Sequence, residues 1–424
     1  MKKLVLLLLV IVILTTNAIV SFAEPFSIDA GAYVLMDSKS GQILYEHNAD
    51  AKLYPASTTK ILTAIVALEN GKLDQMMKAS LAAVNEIGKD GMNIGIMEGE
   101  ELDLEHLLQA LMISSANETA NIIAENISPT RKEFVDLMNK RAAELGAINT
   151  HFSNPCGAHD KNHYTTAKDM AILARHGMTI PKFREIAGKT DYRMLPTNKH
   201  AEWPILGTTN KLFGLKSQYY SKVLGIKTGY TEPAGNNLAS AAIDNNGMEL
   251  IAVVMDVGPQ AGRHAVFRFS KDLLEYGFKN FAVQKLQNAN DVVQSVQVLN
   301  AKDETPLDIT AQDNFECVLP KNAGTQDVTS NIQIHPEIKA PIKQGDVLGS
   351  IEYQKNNTVL GKVNLVASRN IEEKPMASQI VSKTFSNRTV TNTLVVIALL
   401  LALFILLRIT LRRVSRKVSD RSRI

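Results

Sequence analysis

Three short motifs in this 424-residue sequence could together build a nucleophile and a place for its substrate. Ser57-Thr58-Thr59-Lys60 is the one Ser-x-x-Lys of the chain. Residues three apart on a helix share a face, so Lys60 can reach the hydroxyl of Ser57. Ser57 follows Pro55 at the predicted start of that helix, where free backbone N–H groups and the helix dipole favour developing negative charge. Lys60 is flanked by Ile61, Leu62 and Ile65, and an amine held against apolar surface ionises less readily. A neutral amine can take the serine proton and so activate a nucleophile without His or Asp. Ser115-Ala116-Asn117 lies between two segments of helical pattern, where Ser115 and Asn117 could also cap the second helix. Lys227-Thr228-Gly229 follows a strand-like run, and Gly225 and Gly229 on either side of Lys227 would let backbone approach a ligand.

Each motif is weak alone. Lys60 could be a lysine snorkelling at the surface, and Lys227 a solvated charge at a strand end. Lys39-Ser40-Gly41 and Ser368-Arg369-Asn370 match the third and second motifs loosely, in a hairpin turn and beside a linker. The ordered triplet in matching contexts is the stronger signal. A metal centre is not expected: the nine His are scattered, and His159 and His163 have only Cys156 nearby and no fourth ligand. No cofactor is expected either. Cys156 and Cys317 read as two free, partly buried thiols in different domains.

The elements that must position these residues follow from periodicity. Ala32–Asp37 and Gln42–Glu46 alternate around Ser38-Lys39-Ser40-Gly41, a hairpin. The stretch 58–68 is helical and apolar enough to be buried, and 102–113, 117–126 and 131–145 carry helical periodicity. Lys222–Ile226, Leu238–Ile243 and Leu250–Asp256 read as strands, with Asn245-Asn246-Gly247 as a tight turn, and Phe267–Tyr276 as a helix. The first domain is therefore expected to be α+β: an antiparallel sheet closing around a helical block. From 283 to 369 short alternating strands (Val292–Val298, Ile332–Ile334, Val347–Tyr353, Val359–Val366) predict a small all-β domain. Residues 370–388 read as a polar stalk.

Charge and hydropathy assign the ends. The chain is 45% hydrophobic and 21% charged with net charge +3, an ordinary globular balance. Seven Lys/Arg fall in 408–424, and Lys2-Lys3 stand at the other end; without these and Asp420, 37 basic residues face 42 acidic ones. Nucleic-acid binding by the body is disfavoured. With 6% aromatics and a single Trp, Trp203, a platform of stacked Trp for carbohydrate is unlikely. Lys2-Lys3, the apolar run 4–14 and Ser21-Phe22-Ala23 have the layout of a secretory signal, 1–23. Residues 389–407 are apolar on all faces and about the length of a membrane span. The basic residues after them place 408–424 in the cytoplasm and the body outside. A catalytic domain over 24–282 is expected between signal and β-domain.

Beyond the three motifs, Tyr54-Pro55-Ala56 before Ser57, Asn154-Pro155-Cys156-Gly157, His163-Tyr164-Thr165-Thr166-Ala167, Gly225-Ile226-Lys227-Thr228-Gly229-Tyr230-Thr231 and Gly262-Arg263 are similar to segments of one family. The motif set is that of class A β-lactamases and penicillin-binding proteins, and the chain resembles the serine D-alanyl-D-alanine carboxypeptidases, low-molecular-mass penicillin-binding proteins. The resemblance implies an acyl-enzyme on Ser57, with Lys60 as base, Ser115 relaying a proton to the leaving D-alanine, and Asn117 orienting substrate and Lys60. It implies that Lys227 and Thr228, with Arg263, bind the terminal carboxylate of a peptidoglycan stem peptide. The N–H groups of Ser57 and Tyr230 would hold the oxyanion, with Gly229 between Thr228 and Tyr230. It also implies covalent inhibition by β-lactams. Two departures are plain: Tyr230 stands where some members have His, and the end reads as a full span rather than an amphipathic helix. A class A β-lactamase is a poorer match, because Glu144 to Asn149 is one residue too long for the Glu-x-x-Leu-Asn of those enzymes. A D,D-endopeptidase or transpeptidase stays open, since the same residues serve any acceptor. A non-catalytic wall-binding protein fits badly with intact Ser57, Lys60, Ser115 and Lys227.

Overall fold

The computed structural model describes residues 26–88, 91–262, 264–322, 325–355, 358–375 and 388–421. The signal-like segment 1–23 and Arg263 lie outside them, as does most of the stretch read as a stalk. The chain divides into two compact units, one of 1–282 with 320–322 and one of the remaining residues from 283 onward.

The first unit is built on a five-stranded antiparallel sheet. Its strands are β1 (Ala32–Asp37), β2 (Ile43–His47), β3 (Lys222–Thr231), β4 (Gly235–Ile243) and β5 (Glu249–Val257), in the order β2-β1-β5-β4-β3. Both hairpin turns read from sequence are present: Gly41 and Gly247 take φ of 79° and 83°, the left-handed region their turns require. All of β1 is buried, although antiparallel sheets often leave one face to water. The register explains it. Val34, Met36, Ile251 and Val253 join the core shared with the helical block. Leu35 and Leu250 point the other way, where a Cβ on Gly277 of the helix Ala265–Asn280 would meet both. Alternate residues thus serve two covered faces.

The helical block holds α1 (Lys60–Asn70), α2 (Asn117–Ile127) and α3 (Ala167–Thr179). α1 is buried from Lys60 to Ala67, so a charged residue begins a helix enclosed over its first two turns. Two sequence assignments are corrected here. Glu101–Asp103 is a short strand paired with Met76–Lys78, and the helix starts at Leu104, because Asp103 caps it by accepting from His106 N–H. α3 was not marked in the sequence; Thr166 caps it through Asp169 N–H.

The second unit is a five-stranded antiparallel sheet of β6 (Val292–Val296), β7 (Leu307–Ala311), β8 (Thr329–Ile334), β9 (Val347–Lys355) and β10 (Thr358–Ala367), in the order β6-β7-β10-β9-β8. Its core reaches past the expected boundary at 369. Ile371 is buried and exchanges hydrogen bonds with Ile342, so 370–374 belong to the sheet's surroundings rather than to a stalk. A helix spans Arg388–Arg421, and Asn392–Arg412 within it is long and apolar enough to cross a membrane.

Candidate active site

Ser57 sits in a 3-10 turn, Ala56–Thr59, that runs directly into α1. The turn is over-determined. Thr58 and Thr59 hydroxyls donate back to the carbonyls of Pro55 and Ala56 at 2.7 and 2.8 Å. Asn237 of β4 donates its amide to the carbonyls of Tyr54 and Pro55 at 2.9 and 3.1 Å. Gly157 lies so near that a Cβ there would be 1.9 Å from the Ala56 oxygen. His163, buried behind the turn, accepts at Nδ1 from Ser153 N–H at 3.0 Å. Its Nε2 therefore carries the proton toward Thr59 Oγ1, 2.8 Å away, and burial holds its pKa down to about 3. A ring nitrogen already accepting from backbone has no reason to protonate, so His163 is a scaffold residue.

Lys60 is fully buried, not snorkelling. Its Nζ lies 2.9 Å from Ser57 Oγ, 2.6 Å from Asn117 Oδ1 and 2.7 Å from the Cys156 carbonyl oxygen. Desolvation lowers its pKa to about 8, while Cys156 and Glu118 pull it back up. The three partners suit a neutral amine. Its two N–H bonds can go to the two carbonyl oxygens, which only accept, leaving the lone pair for the O–H of Ser57. The arrangement can move the serine proton to Lys60 with no change of partner.

Ser115 could also have capped α2, and it does not. The cap position of α2 is Ala116, without a side-chain bond, and Ser115 closes a π-helical turn, Ala110–Ser114, in the left-handed region at φ 61°. A non-glycine residue there is strained, and such strain gathers at sites where a side chain must be aimed. Ser115 lines the cleft with Ser57. Asn117 bridges: its Oδ1 takes Lys60, its Nδ2 donates to Ile87 O at 2.7 Å, and its backbone N–H donates to Met92 O at 2.7 Å.

Lys227, Thr228 and Gly229 lie inside β3 rather than after it, since the strand continues to Thr231. Lys227 is 1% exposed, which rules out a solvated strand-end charge. Among the described residues its Nζ donates only to the Thr228 carbonyl, at 3.1 Å. Burial, and then the nearby Lys60, push its pKa well below that of a free lysine. The two flanking glycines serve different ends. A Cβ on Gly225 would meet the Ala187 oxygen at 2.4 Å, a helix contact, whereas one on Gly229 would stand 3.0 Å from Ser57 N. Only Gly229 brings backbone to the nucleophile. The Thr228 hydroxyl is 2.6 Å from that of Thr209, a residue the sequence gave no reason to single out. Tyr230 is 64% exposed at the mouth. The cleft, about 860 Å3, is lined by Ser57, Ser115, Asn117, Thr228, Gly229 and Tyr230 among others.

Of the polar side chains that line the cleft, sequence reasoning singled out Ser57, Ser115, Asn117, Thr228 and Tyr230, and did not single out Thr209, Glu232, Asn236 and Asn237. It missed the supports, Asn237 and the Cys156 carbonyl, because support comes from backbone geometry that no motif spells. Neither cysteine is in a disulfide among the described residues, and both are buried. Among the described residues no group of His, Cys, Asp and Glu could hold a metal ion.

Comparison with known proteins gives the same picture. Residues 19–258 match the family model described as D-alanyl-D-alanine carboxypeptidase, and 281–373 match that of the penicillin-binding protein 5 C-terminal domain. The chain is 32% identical over 384 residues to D-alanyl-D-alanine carboxypeptidase DacF of Bacillus subtilis (strain 168), covering 88% of this chain and 95% of that protein. It is 31% identical over 355 residues to D-alanyl-D-alanine carboxypeptidase DacA of Haemophilus influenzae, covering 82% and 87%. Among solved structures, penicillin-binding protein 5 of Haemophilus influenzae superposes with a TM-score of 0.68 at 29% identity, over 83% of this chain and all of that one. With residues 19–258 matched by that family model, a relative 32% identical over 88% of this chain, and Lys60 Nζ within hydrogen-bond reach of Ser57 and Asn117, the chain belongs to the D-alanyl-D-alanine carboxypeptidase family.

Proposed function

We propose that this chain removes the terminal D-alanine from peptidoglycan stem pentapeptides through an acyl-enzyme on Ser57. The observation that carries the assignment is the 2.9 Å approach of Lys60 Nζ to Ser57 Oγ, with carbonyl oxygens as the other two partners of the amine. Neutral Lys60 takes the hydroxyl proton as Ser57 Oγ attacks the carbonyl carbon of the penultimate D-alanine. The oxyanion forms between the N–H groups of Ser57 and Tyr230, which Gly229 allows to stand close; one preorganised donor of this kind is worth a factor of ~100–1,000 in rate. The C–N bond breaks, the departing amine takes a proton relayed by Ser115, and D-alanine leaves. Water then attacks the ester, its proton passing to the same groups, and Ser57 is regenerated.

Asn117 holds Lys60 and offers its remaining polar capacity to the peptide amide. Lys227, with Thr228 and Arg263, receives the terminal carboxylate, whose negative charge favours the protonated form of an amine that burial otherwise disfavours. The peptide lies along β3 as an added edge. In the cell, the apolar helix anchors the chain, 1–23 acts as export signal, and the catalytic unit faces the outside, with the positive tail inside.

The test is mass spectrometry of a pentapeptide ending in D-alanyl-D-alanine after incubation with the enzyme. Loss of a single D-alanine, together with fluorescent penicillin labelling that disappears in a folded Ser57→Ala variant, is expected. Labelling that persists in that variant would remove Ser57 from the role.

A further inference from the structure

Glu118 follows Asn117 in the first turn of α2, is 1% exposed, and has no part in the steps above. Its Oε1 accepts from Ile94 N–H at 2.7 Å, and the backbone at Gly95 and at Glu118 itself also favours its charged form, while its Oε2 has no hydrogen bond of ordinary geometry among the described residues. Leaving a carboxylate oxygen unpaired in the interior is costly, so its retention next to a functional residue calls for a reason. The surroundings supply two. Asn117 and Glu118 together hold three points of one cleft wall: Ile87 O, Met92 O and Ile94 N. Gly91 fits inside that wall only because it lacks a Cβ, which would lie 2.6 Å from Asn117 Nδ2. In addition, Glu118 and Lys60 act on each other electrostatically, each favouring the charged form of the other.

We propose that Glu118 is a positioning residue of this reaction: its carboxylate ties the Met92–Ile94 wall of the cleft to the start of α2 and presents a fixed negative charge to Lys60. The charge serves the ammonium that forms on Lys60 when Ser57 gives up its proton. Lys60 is faced by Ser57 from its own turn, Asn117 and Glu118 from α2, Cys156 and His163 from the segment before α3, and Lys227 from β3. His163 stays neutral, and Lys227, whenever it is protonated, has the same sign as the ammonium. Glu118 is therefore the carboxylate that offsets this pair. It gains from its place at a helix N-terminus, where first-turn N–H groups favour a negative charge, and burial works against it by raising its pKa.

The inference rests on Lys60 being the base, and the test separates the two claims. The rate of acylation by a penicillin is measured against pH for the wild type, Glu118→Gln and Glu118→Asp, beside KM for a D-alanyl-D-alanine peptide. Gln keeps the acceptor for Ile94 N–H but not the charge. Its acid limb should move to lower pH, and its plateau should fall by less than the ~100-fold that losing a general base costs. Asp keeps the charge but reaches less far, so its limb should stay near that of the wild type while KM for the peptide rises. An unmoved limb in folded Glu118→Gln, or equal displacement in both variants, would overturn the role given to the charge. Absence of any acid limb in the wild type would overturn Lys60 as base and this inference with it.

Discussion

Gly229 and Ser57 meet backbone to backbone: a Cβ on Gly229 would stand 3.0 Å from Ser57 N, 2.9 Å from Thr58 N and 2.8 Å from Pro55 O. None of these is the movable tip of a side chain. Gly229→Ala must therefore push β3 away from the nucleophile turn, and Tyr230 N–H with it. We expect a folded protein whose rate constant for penicillin labelling drops by about 100-fold, the usual cost of one oxyanion donor. Gly225→Ala should behave differently, because its obstacle is Ala187 O, away from Ser57; there the loss should appear first as a lower melting temperature. Equal labelling rates for wild type and Gly229→Ala would show that the strand does not set the site.

The pH dependence follows from Lys60, whose burial brings its pKa to about 8. The neutral form is the working one, so the sign is fixed. Acylation should rise with pH through about 8 and level off above it, with roughly a tenth of the amine neutral one pH unit below its pKa. Lys60→Arg should lose this dependence and nearly all activity, since a guanidinium stays protonated throughout. Stopped-flow acylation of the full-length enzyme across the titration would check it. A flat profile would place the proton acceptor elsewhere.

Lys227 gives a second, independent expectation. Burial has pushed its pKa well down, and Lys60 nearby adds to that effect. A bound carboxylate works in the opposite direction, so peptide binding should be accompanied by proton uptake. Isothermal titration in buffers of different ionisation enthalpy, using Ser57→Ala to prevent turnover, should show uptake with the free-acid peptide and much less with its C-terminal amide. Lys227→Ala should lower kcat/KM for the acid, and amidation should then cost little more. Additive losses would mean the two groups do not meet.

What the sequence made legible was the chemistry and the strands; what it hid was how close they come. Ser57, Lys60, Ser115, Asn117 and Lys227 stand out because reactive side chains must be of particular types at particular spacings. Ala32–Asp37 was read as an alternating strand, yet both sheet faces are covered, so that Ala32–Met36 and Leu250–Met255 are nearly unbroken apolar runs and buried throughout. The left-handed turn at Ser115 is different. A serine before a helix pattern reads as a cap, and only the π-helical turn ahead of it shows why the cap passes to Ala116. The continuation of β3 through Thr231 was also hidden, because Lys227 and Thr228 interrupt the apolar pattern where the strand becomes the cleft floor. Glu118, Thr209 and Asn237 belong to the same class: residues that matter by what they touch, with ordinary neighbours in sequence.

The last prediction concerns the fate of a β-lactam. When Ser57 opens the ring, the departing nitrogen stays tethered to the acyl group, so nothing leaves the cleft. That attached portion occupies the space in which water must approach the ester. Deacylation then depends on Lys60 and Ser115, arranged for a D-alanine that has already gone. Glu118, the buried acid beside the motif, is turned to Ile94 N–H, and among the described residues no hydrogen bond joins it to Ser57, Lys60 or Ser115, so it is not placed to activate water as a β-lactamase carboxylate does. The peptide ester carries no such obstruction. Release of penicillin should be slower than peptide turnover by at least about 100-fold, equivalent to ~2.7 kcal/mol of barrier. Enzyme labelled with fluorescent penicillin, then chased with unlabelled drug, gives the first rate, and release of D-alanine gives the second. Comparable rates would mean that water reaches the penicilloyl ester unhindered, and that the tethered ring is not what makes the drug an inhibitor.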